Sequence, residues 1–515
     1  MFSDTYLVYY LKSPLMYKSA VLCLLFFCML TKAYSQLTVD KHFSDHMVLQ
    51  REQPITLGGN ALPEAVVRVD FGAVHEQTTA DSNGHWSLVL PGQKAQNTGT
   101  ALVVSSDEEQ IRLEDVLVGD VWLLIGQSNM EFELQGEAHY GQEKKELHHP
   151  LLRFYNPSFA GKYIYNRHYK DSVLNRLTPE LYYSAVNWHV SDSTSAPSMS
   201  AVGYYFAQRI IAKENVAIGL IHLAIGGAPI ESFISEEALV SDSEFDQKVN
   251  GNWLYNDALP DWIRERGRQN VGKRFIYGDQ HGPNHSYKPG FAFTSGIKPL
   301  EGFPIRGILW YQGESNAQEI DRVMEYDKLQ QLMLSELRTL WKLPELPFYY
   351  AQLSSIDTLR YKGQLWPQFR NQQRLFLSNT KNTGMAVTSD IGAQHDVHPR
   401  DKKTVGERLS RWALRDVYHH EITVSGPLVR KVDYSNNKLV LHFDAVGKGL
   451  TFEGDRLLGF YVDGKAVQAR IKGRTVVIPV KEKPNEVAYG FASFSKGNLT
   501  NKEGLPASSF ILEVR

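Results

Sequence analysis

Cysteine is nearly missing from this chain: its two examples, Cys23 and Cys28, both fall in one apolar run close to the start. Downstream of that run, disulfides, thiolate metal sites and a cysteine nucleophile are all excluded. An excess of charge of one sign is missing too. The 55 Lys and Arg are balanced by 57 Asp and Glu, and no basic block stands out, so nothing in the charge suggests nucleic acid as a partner. Glycine-rich nucleotide fingerprints, internal repeats and low-complexity tracts are absent. The histidine pairs His148-His149 and His419-His420 lack the i,i+4 spacing of a helical zinc site and read as loop or helix-end residues.

What is present begins with an export signal. A basic flank at Lys18 precedes the run Ala20 to Leu30, and Ala33-Tyr34-Ser35 supplies a small-x-small cleavage site before Gln36. That order is the pattern of a secretory signal over residues 1–35, with Met16 a candidate true start. The run is too short for a comfortable membrane span of ~20 residues. Neither cysteine has the small residue before it that a lipoprotein signal needs. An exported product, periplasmic or extracellular, with no membrane anchor after signal removal is therefore expected.

With 515 residues the chain exceeds what one hydrophobic core usually holds. Its texture divides in three. Over 36–117 the pattern has period two, with Val67, Val69 and Phe71 alternating with Arg68 and Asp70, and Trp86, Leu88 and Leu90 following the turn at Asn83-Gly84. This predicts a small β domain. The same texture returns over 422–515, where Asn436-Asn437 separates two strand-like runs, 428–432 and 439–443. Between them, over 118–421, short apolar strands at 121–125, 217–221, 308–310, 348–350 and 385–387 alternate with helical stripes. One stripe is Val323, Tyr326, Leu329, Met333, Leu337 and Leu340; another is Val405, Leu409 and Trp412. Such alternation predicts an α/β domain built on a parallel sheet. The segments 139–200 and 240–290 show little periodicity and many aromatics, including Tyr163, Tyr165, Tyr169, Tyr182, Tyr183, Trp253, Tyr255 and Trp262. They read as long loops or insertions that mostly pack inward, with sugar stacking an open use.

Functional residues of a parallel sheet gather where strands end. After the first strand comes Gly126-Gln127-Ser128-Asn129-Met130, where a tight turn can lift a serine hydroxyl clear of the sheet and a following helix start offers N–H groups. After the second comes Gly226-Gly227, a backbone free to approach a ligand. After the third comes Tyr311-Gln312-Gly313-Glu314-Ser315-Asn316, a cluster suited to side-chain hydrogen-bond donation. After the fifth comes Asp396-Val397-His398. In an extended segment residues two apart face the same way, so Asp396 can reach the imidazole of His398 in the third-group role of a Ser-His-Asp arrangement. Each segment alone also fits a capped helix or a plain turn. Together they supply a nucleophile, a base and donors for an oxyanion.

These blocks, in this order, resemble those of SGNH hydrolases, and their wording is closer still to the sialate O-acetylesterase family. The resemblance spans nearly the whole mature chain, from Asp45-His46-Met47-Val48-Leu49-Gln50-Arg51 through Gly119-Asp120-Val121-Trp122, the serine, Gln312 and histidine blocks, to Asn498-Leu499-Thr500-Asn501 and Gly504-Leu505-Pro506-Ala507-Ser508. It implies a three-layer α/β/α domain flanked by β-rich regions. It also implies a serine esterase removing O-acetyl groups from sugars, sialic acids first, with no metal or organic cofactor. Ser128 would be the nucleophile and His398 the base. The N–H groups of Ser128 and of Gly227 or Gly226 would hold the oxyanion, with Gln312 or Asn316 adding a side-chain donor. The sequence departs from the family pattern in having His395, not Asp, three residues before His398. That leaves Asp396, Glu314 of the Gln-Gly-Glu block, or no acid at all to orient the histidine. An acetylxylan or other glycan esterase is the nearest alternative activity, and a non-catalytic glycan-binding protein is the alternative from another class. Arg400 is a candidate contact for a substrate carboxylate.

Overall fold

Apolar strands with no polar alternation have nowhere to go but the middle of a sheet covered on both faces. The computed structural model, which describes residues 37–107, 109–272, 277–359 and 361–515, places them there. The predicted export signal lies outside the described residues. In chain order the sheet strands are β1 (Glu109–Gly126), β2 (His149–Tyr155), β3 (His189–Ser191), β4 (Ile218–His222), β5 (Gly307–Tyr311), β6 (Phe348–Ala351) and β7 (Thr383–Ala386). Their spatial order is β3-β2-β4-β1-β5-β6-β7. Every pairing is parallel except that of β3 with β2. The register sets Ile218 against Asp120 and Tyr311 against Gly126, so β1, which carries the serine, is central. All residues of β4 to β7 are buried.

The helices start and stop on recognisable signals. We label α1 (Ser128–Glu131), α2 (Ala201–Glu214), α3 (Asp261–Val271), α4 (Tyr326–Leu340), α5 (Trp366–Asn379) and α6 (Lys402–Asp416). Ser200 caps α2 by accepting from the Gly203 N–H at 3.2 Å, and Asp401 caps α6 by accepting from Thr404 at 3.0 Å. Asn215, in the left-handed region at φ 49°, ends α2. The expected apolar stripes face inward: Val323, Tyr326, Leu329, Met333 and Leu337 are buried, as are Val405, Leu409 and Trp412.

The segment 139–200 is not a loop. It holds β2 and β3, and β2 is an interior strand. Its pattern was hidden because Arg153 sits in the strand with its side chain buried, 2.9 Å from Asp115. Segment 240–290 likewise contains α3.

By contacts the chain divides into two units, one of residues 37–40, Leu57–Leu88 and Leu102–Arg112, the other of Lys41–Thr56, Val89–Ala101 and Leu113–Arg515. The smaller is all strand. Val66–Phe71 pairs antiparallel with Val74–Thr79, and Val67, Val69 and Phe71 form its interior. Within the larger unit, residues beyond 427 build antiparallel sheets. There Leu428–Ser435 and Lys438–Asp444 form a hairpin turned by Asn436 and Asn437 at φ 48° and 56°. Their core of Leu439, Leu441, Val476, Ile478 and Phe510 is fully buried. This region is tied to α5 by Arg370, whose buried guanidinium donates to the carbonyl oxygens of Gly490 and Ala492. The protein is thus of mixed α/β class with a large mixed sheet and a β-rich C-terminal part. Among the described residues no helix is long and apolar enough to cross a membrane.

Candidate active site

Four strands deliver the four sequence blocks to one edge of the sheet. β1 ends at Gly126, whose φ of 130° is open to glycine. A Cβ there would stand 2.3 Å from the Tyr311 carbonyl oxygen. Gln127 then donates its N–H to that same carbonyl at 2.9 Å, and the chain turns at once into α1, with Ser128 its first residue. From the far edge, past β7, His398 brings Nε2 to 2.7 Å from Ser128 Oγ. Residues 270 apart in sequence are in the geometry a base needs to take a hydroxyl proton.

Burial lowers the pKa of His398 below its ordinary 6.5. The Lys402 ammonium lowers it further, and Asp396 opposes both. The imidazole is therefore neutral, and able to accept a proton, at neutral pH. Asp396 lies beside the ring with Oδ1 3.8 Å from Nδ1, beyond hydrogen-bond reach, and accepts instead from the His398 backbone N–H at 2.9 Å. Its side chain is more than half exposed.

Glu314, the rival acid, is buried behind Asn129. Asn129 donates to Glu314 Oε1 and also to the Val397 carbonyl at 3.0 Å, while its own Oδ1 accepts from Lys402 Nζ at 2.5 Å. Asn129 thus links a buried acid, a buried lysine and the backbone next to His398. Burial raises the Glu314 pKa, opposed by its own N–H, Asn129 and Lys402. The same burial brings the Lys402 ammonium down to about 7. Asn129 and Lys402 were not singled out from the sequence. The signal available was an amide directly after the serine and a lysine at the start of a helix, both common in structural roles.

The glycine pair after β4 lies against the serine. A Cβ on Gly226 would be 3.8 Å from Ser128 Cβ. The Gly226 carbonyl accepts from Tyr287 Oη at 2.9 Å and the Gly227 carbonyl from Ser315 Oγ at 2.9 Å. Gly227 has φ 77°, and a Cβ there would meet Tyr287 Oη at 2.2 Å. The Gly226 N–H faces the carboxylate of Glu131.

Gln312 and Asn316 are close by but engaged. Gln312 donates to Asn316 Oδ1 at 2.7 Å and accepts from Tyr326 at 2.6 Å; Asn316 donates to Glu231 at 3.0 Å and accepts from the Ile230 N–H at 3.2 Å. Their amides brace the loop carrying the glycine pair. Gln127 does the same for the third block, accepting from the Gly313 and Ser315 N–H groups.

In front of the pair opens a cleft of about 360 Å³, lined by Ser128, His398, Glu131, Glu133, Tyr163 and Tyr165 among others, within the ~300–1,000 Å³ usual for small-molecule sites. Tyr163 and Tyr165 are exposed, whereas Tyr169, Tyr182, Tyr183 and Trp253 are core. Arg400 donates from Nε to the carbonyl of Gly136 on the cleft's lining.

The histidine pairs hold structural partners, His149 with Tyr204 and His420 with Glu214. Glu137, His139 and Asp401 lie close enough to share an ion, yet His139 already pairs with Glu137 at 2.8 Å and Asp401 caps α6.

A polar pair at the end of a parallel sheet, beside a sugar-sized cleft, suits an esterase, and comparison with known proteins puts the chain among the carbohydrate esterases. It belongs to the carbohydrate esterase, sialic acid-specific acetylesterase family, whose model matches residues 118–259 and 293–415. It is 25% identical over 442 residues to the sialate O-acetylesterase of Mus musculus, covering 78% of each chain. It is likewise 25% identical over 438 residues to that of Homo sapiens, covering 78% of this chain and 75% of the other. A carbohydrate acetylesterase from Xanthomonas citri has a similar solved structure, with TM-score 0.75, 27% identity and coverage of 92% of this chain and 99% of that one.

Proposed function

We propose that the protein is an exported serine esterase that removes O-acetyl groups from sugars, O-acetylated sialic acids first among them, through an acyl-enzyme on Ser128. The observation that carries this reading is the 2.7 Å contact of Ser128 Oγ with His398 Nε2 at the mouth of an open cleft. The surrounding domain is read as a three-layer SGNH domain. His398 takes the serine proton as Oγ attacks the acetyl carbonyl. The oxyanion is held by the N–H groups of Ser128 and Gly227. Gly227 is favoured over Gly226 because the Gly226 N–H is occupied by Glu131. In a trans peptide the Gly227 N–H points away from the Gly226 carbonyl, hence away from Tyr287. His398 then returns its proton to the sugar oxygen, and water, activated by the same imidazole, releases acetate. No step needs a metal or organic cofactor.

The family and the curated relatives support sialate as substrate, and Arg400, bound through Nε to Gly136 of the cleft lining, is the candidate partner for its carboxylate. A second reading, an acetylated neutral glycan such as acetylxylan, is favoured by the cleft lining, which carries Glu131 and Glu133 and neither lysine nor arginine to meet an anion. The test is acetate release from O-acetylated sialic acids and from acetylated xylan by wild type and Ser128→Ala. Sialate-selective release lost in the variant supports both substrate and nucleophile. Release from xylan alone keeps the mechanism and replaces the substrate. Equal activity of the two proteins removes the serine mechanism.

A further inference from the structure

One carboxylate in the cleft is left without the donors it needs. Glu131 closes the single turn that Ser128 opens, so the two side chains, three apart on a helical turn, leave it on the same side. Its side chain is 5% exposed. Oε1 makes no hydrogen bond among the described residues, and the Lys162 ammonium stands 3.5 Å off, shared with Glu133 at 3.6 Å. Burial pushes the Glu131 pKa up to about 7, with Lys162 and the Gly226 N–H opposing, as expected of a carboxylate short of donors. Its neighbour Glu133 differs, accepting from Tyr163 Oη at 2.6 Å and from Gln135 at 2.7 Å.

The other oxygen, Oε2, shows where the carboxylate sits. A Cβ on Gly226 would lie 2.7 Å from Glu131 Oε2, 2.7 Å from Tyr165 Oη and 3.8 Å from Ser128 Cβ. Glu131 therefore borders the glycine pair, next to where an acetyl group on Ser128 would be held. Tyr165, its ring backed by Arg266 at 5.4 Å, and Tyr163 give the cleft an aromatic wall. A sugar offers an apolar C–H face to such a wall and hydroxyl donors along its edge.

We propose that Glu131 is a specificity-determining residue that accepts a hydrogen bond from the free hydroxyl vicinal to the acetylated one, so that the enzyme selects mono-acetylated vicinal diols. This deepens the reading of an O-acetyl sugar esterase and rests on it. It holds for the hydroxylated side chain of a sialic acid and for a neutral pyranose alike, since both carry acetylated oxygens beside free hydroxyls.

The test is a ratio of kcat/KM values, measured on one mono-O-acetyl sugar and on its analogue with the neighbouring hydroxyl methylated. At pH 8.5, where Glu131 with its pKa of about 7 is ionised, wild type is expected to prefer the free hydroxyl roughly 10- to 100-fold, the effect of losing a hydrogen bond to a charged group. In Glu131→Ala the ratio falls toward one, and in Glu131→Gln, which keeps an acceptor oxygen, it is intermediate. A structural role would lower both rates together and leave the ratio unmoved, so an unchanged ratio in the variants overturns the proposal. A wild-type ratio near one overturns it without any variant. Failure of the esterase reading looks different: wild type then releases acetate from neither sugar.

Discussion

His398 meets three influences whose signs can be separated. Burial and Lys402 lower its pKa, and Asp396 raises it. The acid limb of kcat/KM reports the free-enzyme pKa of an essential base, so in wild type its midpoint lies below the ordinary 6.5 of an imidazole. Lys402→Met removes a cation that disfavours the imidazolium, and the limb moves up in pH. Asp396→Asn removes the anion that favours it, and the limb moves down. A pH–rate series on a chromogenic acetate ester reads all three midpoints, and they do not depend on how much variant is folded. Opposite shifts support the electrostatic roles; a limb unmoved by both changes assigns it to another group. The size of the rate loss in Asp396→Asn against Glu314→Gln separates the rival orienting acids. Asp396 is the nearer to the ring, and Glu314 acts through Asn129 and the Val397 carbonyl.

At the scale of the element, the glycine loop after β4 is held by the hydroxyls of Tyr287 and Ser315 on its two carbonyls. Gly227→Ala places a methyl 2.2 Å from Tyr287 Oη at a φ of 77°, so the loop must move and, on the proposed mechanism, its N–H leaves the oxyanion. A loss of about 10²- to 10³-fold in kcat is expected, the usual effect of one oxyanion donor. Adding Tyr287→Phe removes the clashing oxygen and should recover part of that loss. Single-turnover rates check this, and a double variant slower than Gly227→Ala argues against the clash. This loop also marks how far the sequence could be read. The serine, the glycine pair and the histidine were legible because each follows an uninterrupted apolar strand, and strand ends are where a parallel sheet does chemistry. The strand β2 was not legible, because Arg153 broke its apolar pattern and only tertiary pairing with Asp115 explains the charge. The engagement of Gln312 and Asn316 was equally hidden. An amide's residue type announces donors and acceptors but not whether a buried neighbour such as Tyr326 or Glu231 already holds them. Asn129 and Lys402 escaped for the same reason, since their partners are 185 and 273 residues away in sequence.

At the scale of the whole molecule, the strand that presents Ser128 is anchored part-way along its length by a buried charge. Asp120 is fully buried in β1 and accepts from Arg51 and Arg306, each at 2.9 Å, from Tyr418 at 2.8 Å and from Gln50 at 3.1 Å. The partners come from 69, 186, 298 and 70 residues away, so one carboxylate joins the segment before β1, the approach to β5 and the end of α6. Burial alone would raise its pKa, but Arg306, Arg51 and Tyr418 outweigh that and bring it below the usual carboxylate value. A carboxyl with a depressed folded pKa contributes stability that is present above its unfolded pKa, about 3.9, and is lost as pH falls through the lower folded value. Asp120→Asn takes the carboxylate away from Arg51 and leaves Arg306 only the exposed Glu52 at 3.5 Å, and should cost about 3 kcal/mol at pH 7. Below about pH 4 the gap to wild type should narrow, because the wild-type carboxylate is itself being protonated there. Urea midpoints of both proteins at pH 7 and in steps toward pH 3 measure the gap. A difference that stays constant across the series would mean that shape and hydrogen bonding, rather than the charge, hold β1 in register. A difference that closes would tie the placement of Ser128 to an ion cluster assembled from four distant parts of the chain.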